Sequence, residues 1–434
     1  MITSIRMGKK TLFILANAAL LVFIAGRGYV INADSYEYIN HFIYRSPLYP
    51  LFLSALGSLF GQNFLLAAAV IQTAAIQASA AFFANVMRQL LDLGEKGFLI
   101  LFAACLLPLF DVFAKIGGAG NAIMAEGLSY ALLLCALATL AKAAFSRDAK
   151  HAAMFAALAV ASTWLRPQFA FLYPAAIGLA LLKPEKHGQL KKIAVTAAVM
   201  ASLTLFGNYA QKAFQKAKNG YFAKPSVTAQ HMAGKMLYFS DEKEIAALDL
   251  PVEDRAAAIL VWREMDRKKL LARHHPADRP AISVSAPLND ICWGTLARIY
   301  RQTRCADCPP AREYMGLSAF SARLGRKLLP LHGKTYVGLS GREMLRRFDF
   351  MTLLFCGAFA LSVFVLKEKS LIIIFTLAAT ALAANCFAVE YFAAAAPRLY
   401  LYSDMTELLL SLTALLALAR SRGLLNSVNP SATK

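Results

Sequence analysis

Charged residues are scarce in this chain of 434 residues, where Asp, Glu, Lys and Arg together make up only 17%. Hydrophobic residues account for 58%, and the mean hydropathy is +0.50. A soluble domain of this length would carry more charge and shorter apolar runs. Several apolar runs reach 17 residues or more, which is long enough to cross a hydrocarbon core about 30 Å thick. The composition therefore excludes an ordinary soluble protein and predicts several membrane spans.

Acidic residues are fewer than basic ones, with 26 Asp and Glu against 46 Lys and Arg, and the formal net charge is +20. A strongly basic chain can bind nucleic acid, but no nucleic-acid-reading module is visible in this sequence. Many Lys and Arg residues flank apolar runs, as orientation signals of membrane proteins do, and the rest lie in one long polar segment. We therefore predict that the protein contacts membrane lipids and does not bind nucleic acid.

Cysteine is sparse, with seven residues in all, and four of them lie inside apolar runs as small buried hydrophobes would. Cys292, Cys305 and Cys308 lie in the polar segment. The spacing of the last two suits half a zinc site, a redox pair or a local disulfide, but no second pair completes a zinc cage. If the segment lies outside the cytoplasm, we expect one disulfide and one free thiol.

No small-residue cleavage site follows the first apolar run, Thr11–Ala25, which comes after a basic N-terminus. We therefore predict a retained first span instead of a cleaved signal peptide. Nine further runs are predicted to span the membrane, which gives an all-α polytopic protein of about ten transmembrane helices. The ten predicted spans cover about residues 11–31, 64–87, 97–113, 123–141, 152–164, 168–182, 193–209, 350–366, 371–389 and 399–419.

Two other segments interrupt this pattern. The apolar stretch Leu48–Phe60 is too short to span, so we predict an interfacial helix. A polar segment, about 210–347, separates spans seven and eight and has amphipathic helical patterning. The predicted organisation is an N-terminal transmembrane module with a first outer loop at 32–62, a mainly helical extracytoplasmic segment, C-terminal transmembrane helices and a cytoplasmic tail, covering residues 1–209, 210–347, 348–420 and 421–434.

The short loops fix the orientation. With the N-terminus inside, the loops 88–96, 142–151, 183–192 and 367–369 and the tail all lie inside, and all of them are basic. This arrangement satisfies the positive-inside rule, and the polar segment falls outside because long domains translocate largely regardless of charge. The prediction is a protein of the bacterial inner (plasma) membrane with its functional face toward the periplasm or exterior.

Ionisable side chains near a membrane are costly, so those on the predicted outer face call for an explanation. An Arg guanidinium pairs bidentately with phosphate, and a carboxylate can serve as general base toward a hydroxyl or amine. The set therefore suits a phosphate-bearing lipid whose headgroup lies at the interface. It comprises Asp34, Glu37, His41, Arg45, Lys115, Glu126, Arg166, Glu390 and Arg398.

Four short motifs of this outer face resemble the GT-C membrane glycosyltransferases. More narrowly, they resemble the bacterial relatives of protein O-mannosyltransferases and of the lipid A aminoarabinose transferase. The first is an acidic residue soon after the first span, followed by a Pro-Leu-Tyr-Pro interfacial helix. The others are an acidic residue that opens a span, a Leu-x-Arg-Pro corner and an Arg-Tyr segment that opens a late span. They are Asp34-Ser-Tyr-Glu-Tyr38 with Tyr44-Arg-Ser-Pro-Leu-Tyr-Pro50, Met124-Ala-Glu126, Trp164-Leu-Arg166-Pro167 and Arg398-Leu-Tyr-Leu-Tyr402.

The resemblance covers most of 1–210 and 348–420, whereas the polar segment lies outside it. It implies a GT-C-like fold and inverting transfer of a sugar from a polyprenyl-phosphate carrier to a glycan, lipid or protein acceptor. By position, Asp34 would be the catalytic base and Glu126 a second acidic catalytic residue. Arg166 and Arg398 would hold the lipid phosphate. Glu37, Tyr38 and Arg45 are further candidates to bind substrate.

Plainer interpretations remain open for these residues. Asp34 is a good helix N-cap, and Glu126 could cap the fourth span or pair with Lys115. Arg side chains also snorkel at interfaces without any ligand. A divalent metal is possible as cofactor but not required, because Asp34, Glu37 and His41 form no clear ligand set.

Other functions also remain open. A transporter or flippase of a lipid-linked or polar substrate would usually show internal repeats and ionisable groups near the midplane, and neither is evident here. A glycan polymerase or ligase would also use outer-face Arg residues, but would not need the early Asp loop.

Overall fold

The computed structural model describes residues 9–110, 118–146, 148–181, 189–225, 227–275, 285–346, 349–392 and 400–424. Within these ranges the protein is helical throughout, without a named strand, and one isolated parallel bridge joins Val30 to Ala122. The predicted all-α class is therefore confirmed for this part of the chain.

The first nine α-helices are α1 (Lys9–Gly26), α2 (Ala33–Ile39), α3 (Leu48–Phe60), α4 (Phe64–Leu91), α5 (Gly94–Cys105), α6 (Glu126–Ser146), α7 (Ala149–Leu165), α8 (Tyr173–Leu181) and α9 (Gln189–Asn219). The polar segment contributes α10 (Val227–Leu237), α11 (Glu242–Ala247), α12 (Val252–Arg267), α13 (Ser285–Asn289), α14 (Ala297–Arg304) and α15 (Pro310–Arg346). The last helices are α16 (Phe350–Leu361), α17 (Lys369–Phe392) and α18 (Leu401–Ser421).

Four helical stretches in the described ranges are long and apolar enough to cross a membrane: Leu48–Leu91, Glu126–Ser146, Lys369–Tyr391 and Leu401–Ser421. A fifth is added if Pro310–Leu345 and Phe350–Leu366, bent by 66° at their break, count as one span. The protein is thus a helical chain with four or five candidate spans. These spans agree with an integral membrane protein.

The predicted number of ten spans is not confirmed. Every predicted span overlaps a helix. A helix needs about 20 residues to cross the hydrocarbon core, and four or five stretches among the described residues meet the requirements of length and composition. The count of ten therefore stays a prediction.

Two sequence signals place the helix ends that matter for the site. Asn32 caps α2, because its side chain accepts a hydrogen bond from the Ser35 backbone and the Ser35 hydroxyl accepts one from the Asn32 backbone. Asp34 therefore lies in the first turn of α2 and is not its cap. α7 ends at Leu165, because Pro167 keeps the residue before it out of the helical region. That residue, Arg166, has φ −143° and ψ 117°.

The transmembrane core is built on close contact between α4 and α6. Their facing positions are rich in fully buried Ala, including Ala68, Ala80 and Ala138. Small side chains let two helix backbones approach closely, which is how helices gain contact when lipid removes the hydrophobic drive between them.

The polar segment has a second core of its own. Val261 and Trp262 of α12 pack with Phe320 of α15 and with neighbours from α10 and α14. Cys305 and Cys308 form a disulfide, and Cys292 is a buried free thiol whose pKa burial raises to about 12. Of the three interpretations of this spacing, the local disulfide is therefore the one present. The exact boundaries of the four predicted segments stay predictions.

Candidate active site

The chain that follows α1 is fastened to the loop that precedes α6. The backbone N–H of Val30 donates to the carbonyl of Asn121 at 3.0 Å, and that of Ile123 donates back to Val30 at 3.0 Å. The Asn121 amide donates to the carbonyl of Ile24 at 2.9 Å, and the Asn32 amide contacts the Met124 sulfur at 2.8 Å. These bonds hold α2 beside the first turn of α6, so residues nearly a hundred positions apart share one site.

The first charged cluster lies on α2 and the loop after it. The Arg45 guanidinium lies 2.9 Å from a carboxylate oxygen of Asp34 and also donates to Glu37. Its Cζ atom stands 4.8 Å from the centre of the Tyr38 ring. Burial would lower the pKa of Arg45, but Tyr38, Asp34 and Glu37 more than offset it and raise the pKa well above its usual value. Arg45 thus stays charged and holds both carboxylates.

The second cluster is a buried ion pair between Glu126, the first residue of α6, and Arg166, just after α7. The Glu126 side chain is only 1% exposed and that of Arg166 12%. Arg166 also reaches the Tyr402 hydroxyl of α18 at 3.5 Å. Because removing one partner would leave a buried charge alone, the two groups hold each other in place.

Tyr38 joins the two clusters. Burial raises the pKa of its hydroxyl, and the charges of Arg45, Glu126, Arg166 and Asp34 all act on that pKa. Below it, the Tyr38 ring meets the Tyr49 ring edge-on at 5.0 Å, and the Tyr49 hydroxyl donates to Gln72 of α4 at 2.5 Å. Two guanidinium groups and two carboxylates therefore lie near one buried phenol, which packs on Tyr49.

The structure brings together six of the seven predicted site residues. Asp34, Glu37, Tyr38, Arg45, Glu126 and Arg166 form the two clusters, whereas Arg398 lies outside the described residues, as does Lys115. The roles assigned to these residues stay predictions.

Two other ionisable residues of the outer-face set have different neighbours. Glu390 receives a hydrogen bond from Tyr400, while its backbone carbonyl accepts one from Lys235 of the polar segment. His41 contacts the Ser54 hydroxyl at 3.2 Å. The structure therefore places these two in separate contact networks.

Several contributors to the site escaped sequence reasoning. Tyr402 contacts Arg166, and the Arg398–Tyr402 motif was a signal that could have found it. Tyr314 and Trp293 of the polar segment pack at a tilt against Tyr44, next to Arg45, at ring-centre distances of 4.6 and 6.1 Å. No motif marks those two residues, since only folding of the polar segment brings them to the loop.

The chemistry available is acid–base and electrostatic. Carboxylates at the surface of the site can accept a proton, and guanidinium groups can stabilise an anion that forms beside them. Within the described part of the chain, no three His, Cys, Asp or Glu side chains are grouped so that they could hold a metal ion.

No protein-family model matches this chain, and neither a curated protein nor a solved structure matches it.

Proposed function

We propose that this protein is a membrane glycosyltransferase of GT-C-like fold, which transfers a sugar from a polyprenyl-phosphate carrier to an extracytoplasmic acceptor with inversion. The observation that carries the proposal is the convergence of Asp34, Glu37 and Arg45 with Glu126 and Arg166 around Tyr38. Acid–base groups and anion-binding groups at one site are what such a transfer needs.

In the proposed reaction, Asp34 acts as general base. Its side chain is 15% exposed, so an acceptor can reach it. The acceptor hydroxyl or amine gives its proton to the Asp34 carboxylate while its oxygen or nitrogen bonds to the anomeric carbon. The bond from that carbon to the phosphate oxygen breaks, and its electron pair leaves with the polyprenyl phosphate. Attack and departure on opposite faces invert the anomeric centre.

Arg166 is the proposed partner of the departing phosphate, together with Arg398. Glu126 lies against Arg166 and so acts mainly by positioning it, which refines the direct catalytic role that the resemblance implies. Arg45 pairs with Asp34 and Glu37 and so orients both carboxylates, as a guanidinium does.

The positions of helix ends support a location of this site on the periplasmic side of the inner membrane. The site collects the start of α6, the end of α7 and the start of α18, which are all expected outside. At the other ends of α4 and α18, Arg420 pairs with Asp92 at 2.5 Å, and both belong to loops expected inside. The basic loops indicate which of the two sides is the cytoplasmic one.

An Asp34→Asn variant tests the proposal. The amide keeps the size of the side chain but cannot take the proton, so we expect sugar transfer to fall by about a hundredfold or more. Transfer is measured with purified protein and a panel of radiolabelled polyprenyl-phosphate hexoses and pentoses. Binding of the carrier, followed by native mass spectrometry, should persist.

Asp92→Asn is the matched control, because Asp92 is an exposed carboxylate on the opposite side. It should transfer sugar like the wild type. Unchanged transfer by Asp34→Asn would reject Asp34 as the base. Movement of the intact lipid-linked sugar across vesicles without transfer would favour a flippase instead.

A further inference from the structure

An aromatic wall lies beside the candidate site, and two of its four rings come from the polar segment. Tyr314, in the second turn of α15, lies 4.6 Å from the Tyr44 ring and 5.7 Å from the Phe42 ring. Trp293 lies 6.1 Å from Tyr44 at an interplanar angle of 37°. The rings thus form a continuous surface on the outer side of the charged cluster.

The wall is joined to that cluster through Glu37 and Arg45. The Arg45 guanidinium stands 5.2 Å from the centre of the Tyr44 ring. Burial is the largest cause that raises the pKa values of Tyr44 and Tyr314, and the charge of Glu37 raises both pKa values further. Glu37 is therefore close to both phenols, so a carboxylate and a guanidinium border the rings.

Trp293 lies where the helical backbone is locally irregular. Residues Asp290–Leu296 form a π-helical turn between α13 and α14. Such turns are rare and frequently mark functional sites, because the wider turn redirects the side chains it carries. Within the turn, a Cβ atom on Gly294 would come within 3.1 Å of the Asp290 carboxyl carbon and closer still to its oxygen, so a larger residue there would displace the Asp290 side chain.

Tyr44 is buried, but the two rings of the polar segment that pack on it are partly open. Trp293 and Tyr314 are both of intermediate exposure, in contrast to the fully buried Phe320 that packs inside the same segment. Part of each ring is therefore open to a ligand, beside groups that can form hydrogen bonds.

We propose that Trp293 and Tyr314, which pack on the buried Tyr44, form a subsite that binds a sugar ring of a glycan acceptor. A pyranose presents an apolar face of C–H bonds, which packs on aromatic rings, and a rim of hydroxyls, which suits Glu37 and Arg45. The carrier's lipid approaches within the membrane, so the polar segment is the side from which a water-soluble acceptor enters. This inference rests on the proposed function and assigns the polar segment the role of acceptor recognition.

Tryptophan fluorescence tests the subsite without any transfer. The chain has three Trp, so the variant Trp164→Phe/Trp262→Phe leaves Trp293 as the only emitter. Chitotetraose, mannotriose and galactotriose are titrated into this protein in detergent, and its unfolding midpoint is checked. At least one glycan should give a saturable change in Trp293 emission. In the same background, Tyr314→Ala should weaken its binding about tenfold and Tyr314→Phe should not.

Phe222→Ala is the control, because Phe222 is an exposed aromatic residue that meets Tyr209 edge-on and has no ring contact with Tyr44, Trp293 or Tyr314 among the described residues. It should leave glycan affinity unchanged. If Tyr314→Ala does not fold, Trp293→Tyr and Trp293→Leu provide a graded series in which the acceptor KM rises from the first to the second.

Failure of this inference is distinct from failure of the proposed function. A protein that transfers sugar to a glycan, but whose Trp293 responds to no glycan and whose Tyr314→Ala variant keeps the acceptor KM, would overturn the subsite alone. A saturable response in a protein that transfers nothing would support the subsite while rejecting the transferase.

Discussion

At the scale of single residues, the two guanidinium groups of the candidate site that the structure describes, those of Arg45 and Arg166, already pair with carboxylates. Arg45 is held by Asp34 and Glu37, and Arg166 by Glu126. A phosphate that binds Arg166 must therefore share it with Glu126. A carboxylate partner stabilises a positive charge that is removed from water, also when no substrate is bound.

A double-mutant cycle on the buried pair measures this dependence. Glu126→Gln leaves Arg166 buried without its counter-charge and should cost about 3–5 kcal/mol of stability. Adding Arg166→Met removes the stranded charge and should recover much of that loss. Unfolding in detergent is followed for both single variants and the double one. Additive losses would contradict a direct coupling between the two residues.

Lys235 gives a prediction for pH. It is 2% exposed, and burial lowers its pKa below 10.5, an effect that Glu390 partly offsets. Between the lowered pKa and 10.5, the folded protein binds fewer protons than the unfolded chain, so this lysine makes stability rise with pH. Lys235→Met should therefore flatten the dependence of the unfolding midpoint on pH up to 10.5. Lys334→Met, at an exposed position of α15, is the control and should keep the wild-type slope.

At the scale of elements, the start of α6 is fixed by a close approach that only glycine permits. A Cβ atom on Gly127 would lie 3.3 Å from the Gln72 side chain and would collide with the carbonyl oxygen of Ala119. Gln72 in turn donates to the carbonyls of Gly120 and Ala122 at 3.1 and 3.0 Å. This contact sets where Glu126 enters the site.

Gly127→Ala should accordingly destabilise the protein by about 1–3 kcal/mol and reduce sugar transfer, because the backbone oxygen cannot move aside easily. Gly57→Ala in α3 is the matched control, since nothing lies within 4 Å of its added Cβ. That change should be neutral or stabilise by about 0.5–1 kcal/mol, as Ala is a better helix former. The readout is the unfolding midpoint. Equal midpoints for the two variants would show that α6 can shift.

At the scale of the whole molecule, the polar segment is tied both to the first outer loop and to the end of α17. Tyr44 meets Tyr314, and Lys235 donates to the carbonyl of Glu390. The Tyr336 hydroxyl donates to the carbonyl of Tyr391. The segment and the loop must therefore lie on the same side of the membrane.

The disulfide between Cys305 and Cys308 allows a test of the side of the membrane on which the polar segment lies. Intact spheroplasts are treated with an impermeant reductant and then with an impermeant maleimide. Cys305 and Cys308 should be labelled only after reduction, because they are bonded in an oxidising compartment. The variant Cys305→Ser/Cys308→Ser should gain no label. Labelling that requires lysis but no reduction would put the segment inside and reverse the predicted orientation.

Much of the fold was predictable from local signals. The apolar stretch Leu48–Phe60 is a helix, α3, as predicted, although it forms one candidate span with α4 and its interfacial position stays a prediction. Pro167 ends α7 next to Arg166 as proline chemistry requires. The number of membrane crossings stays a prediction, because four or five candidate spans are found among the described residues. Hydropathy shows that a helix is apolar enough to lie in lipid or in a protein core. It does not show which of these two surroundings the helix has.

The sequence by itself determined the helical, membrane-compatible class, the scarcity of charge and the presence of acidic and Arg residues in the loops between apolar runs. These properties depend on composition and on neighbours a few positions apart. Only the tertiary structure decided that Glu126 pairs with Arg166, that Arg45 bridges Asp34 and Glu37, and that Tyr314 stacks on Tyr44. Such contacts arise because packing of distant helices selects, from many possible partners, the ones that satisfy a buried charge or cover a ring.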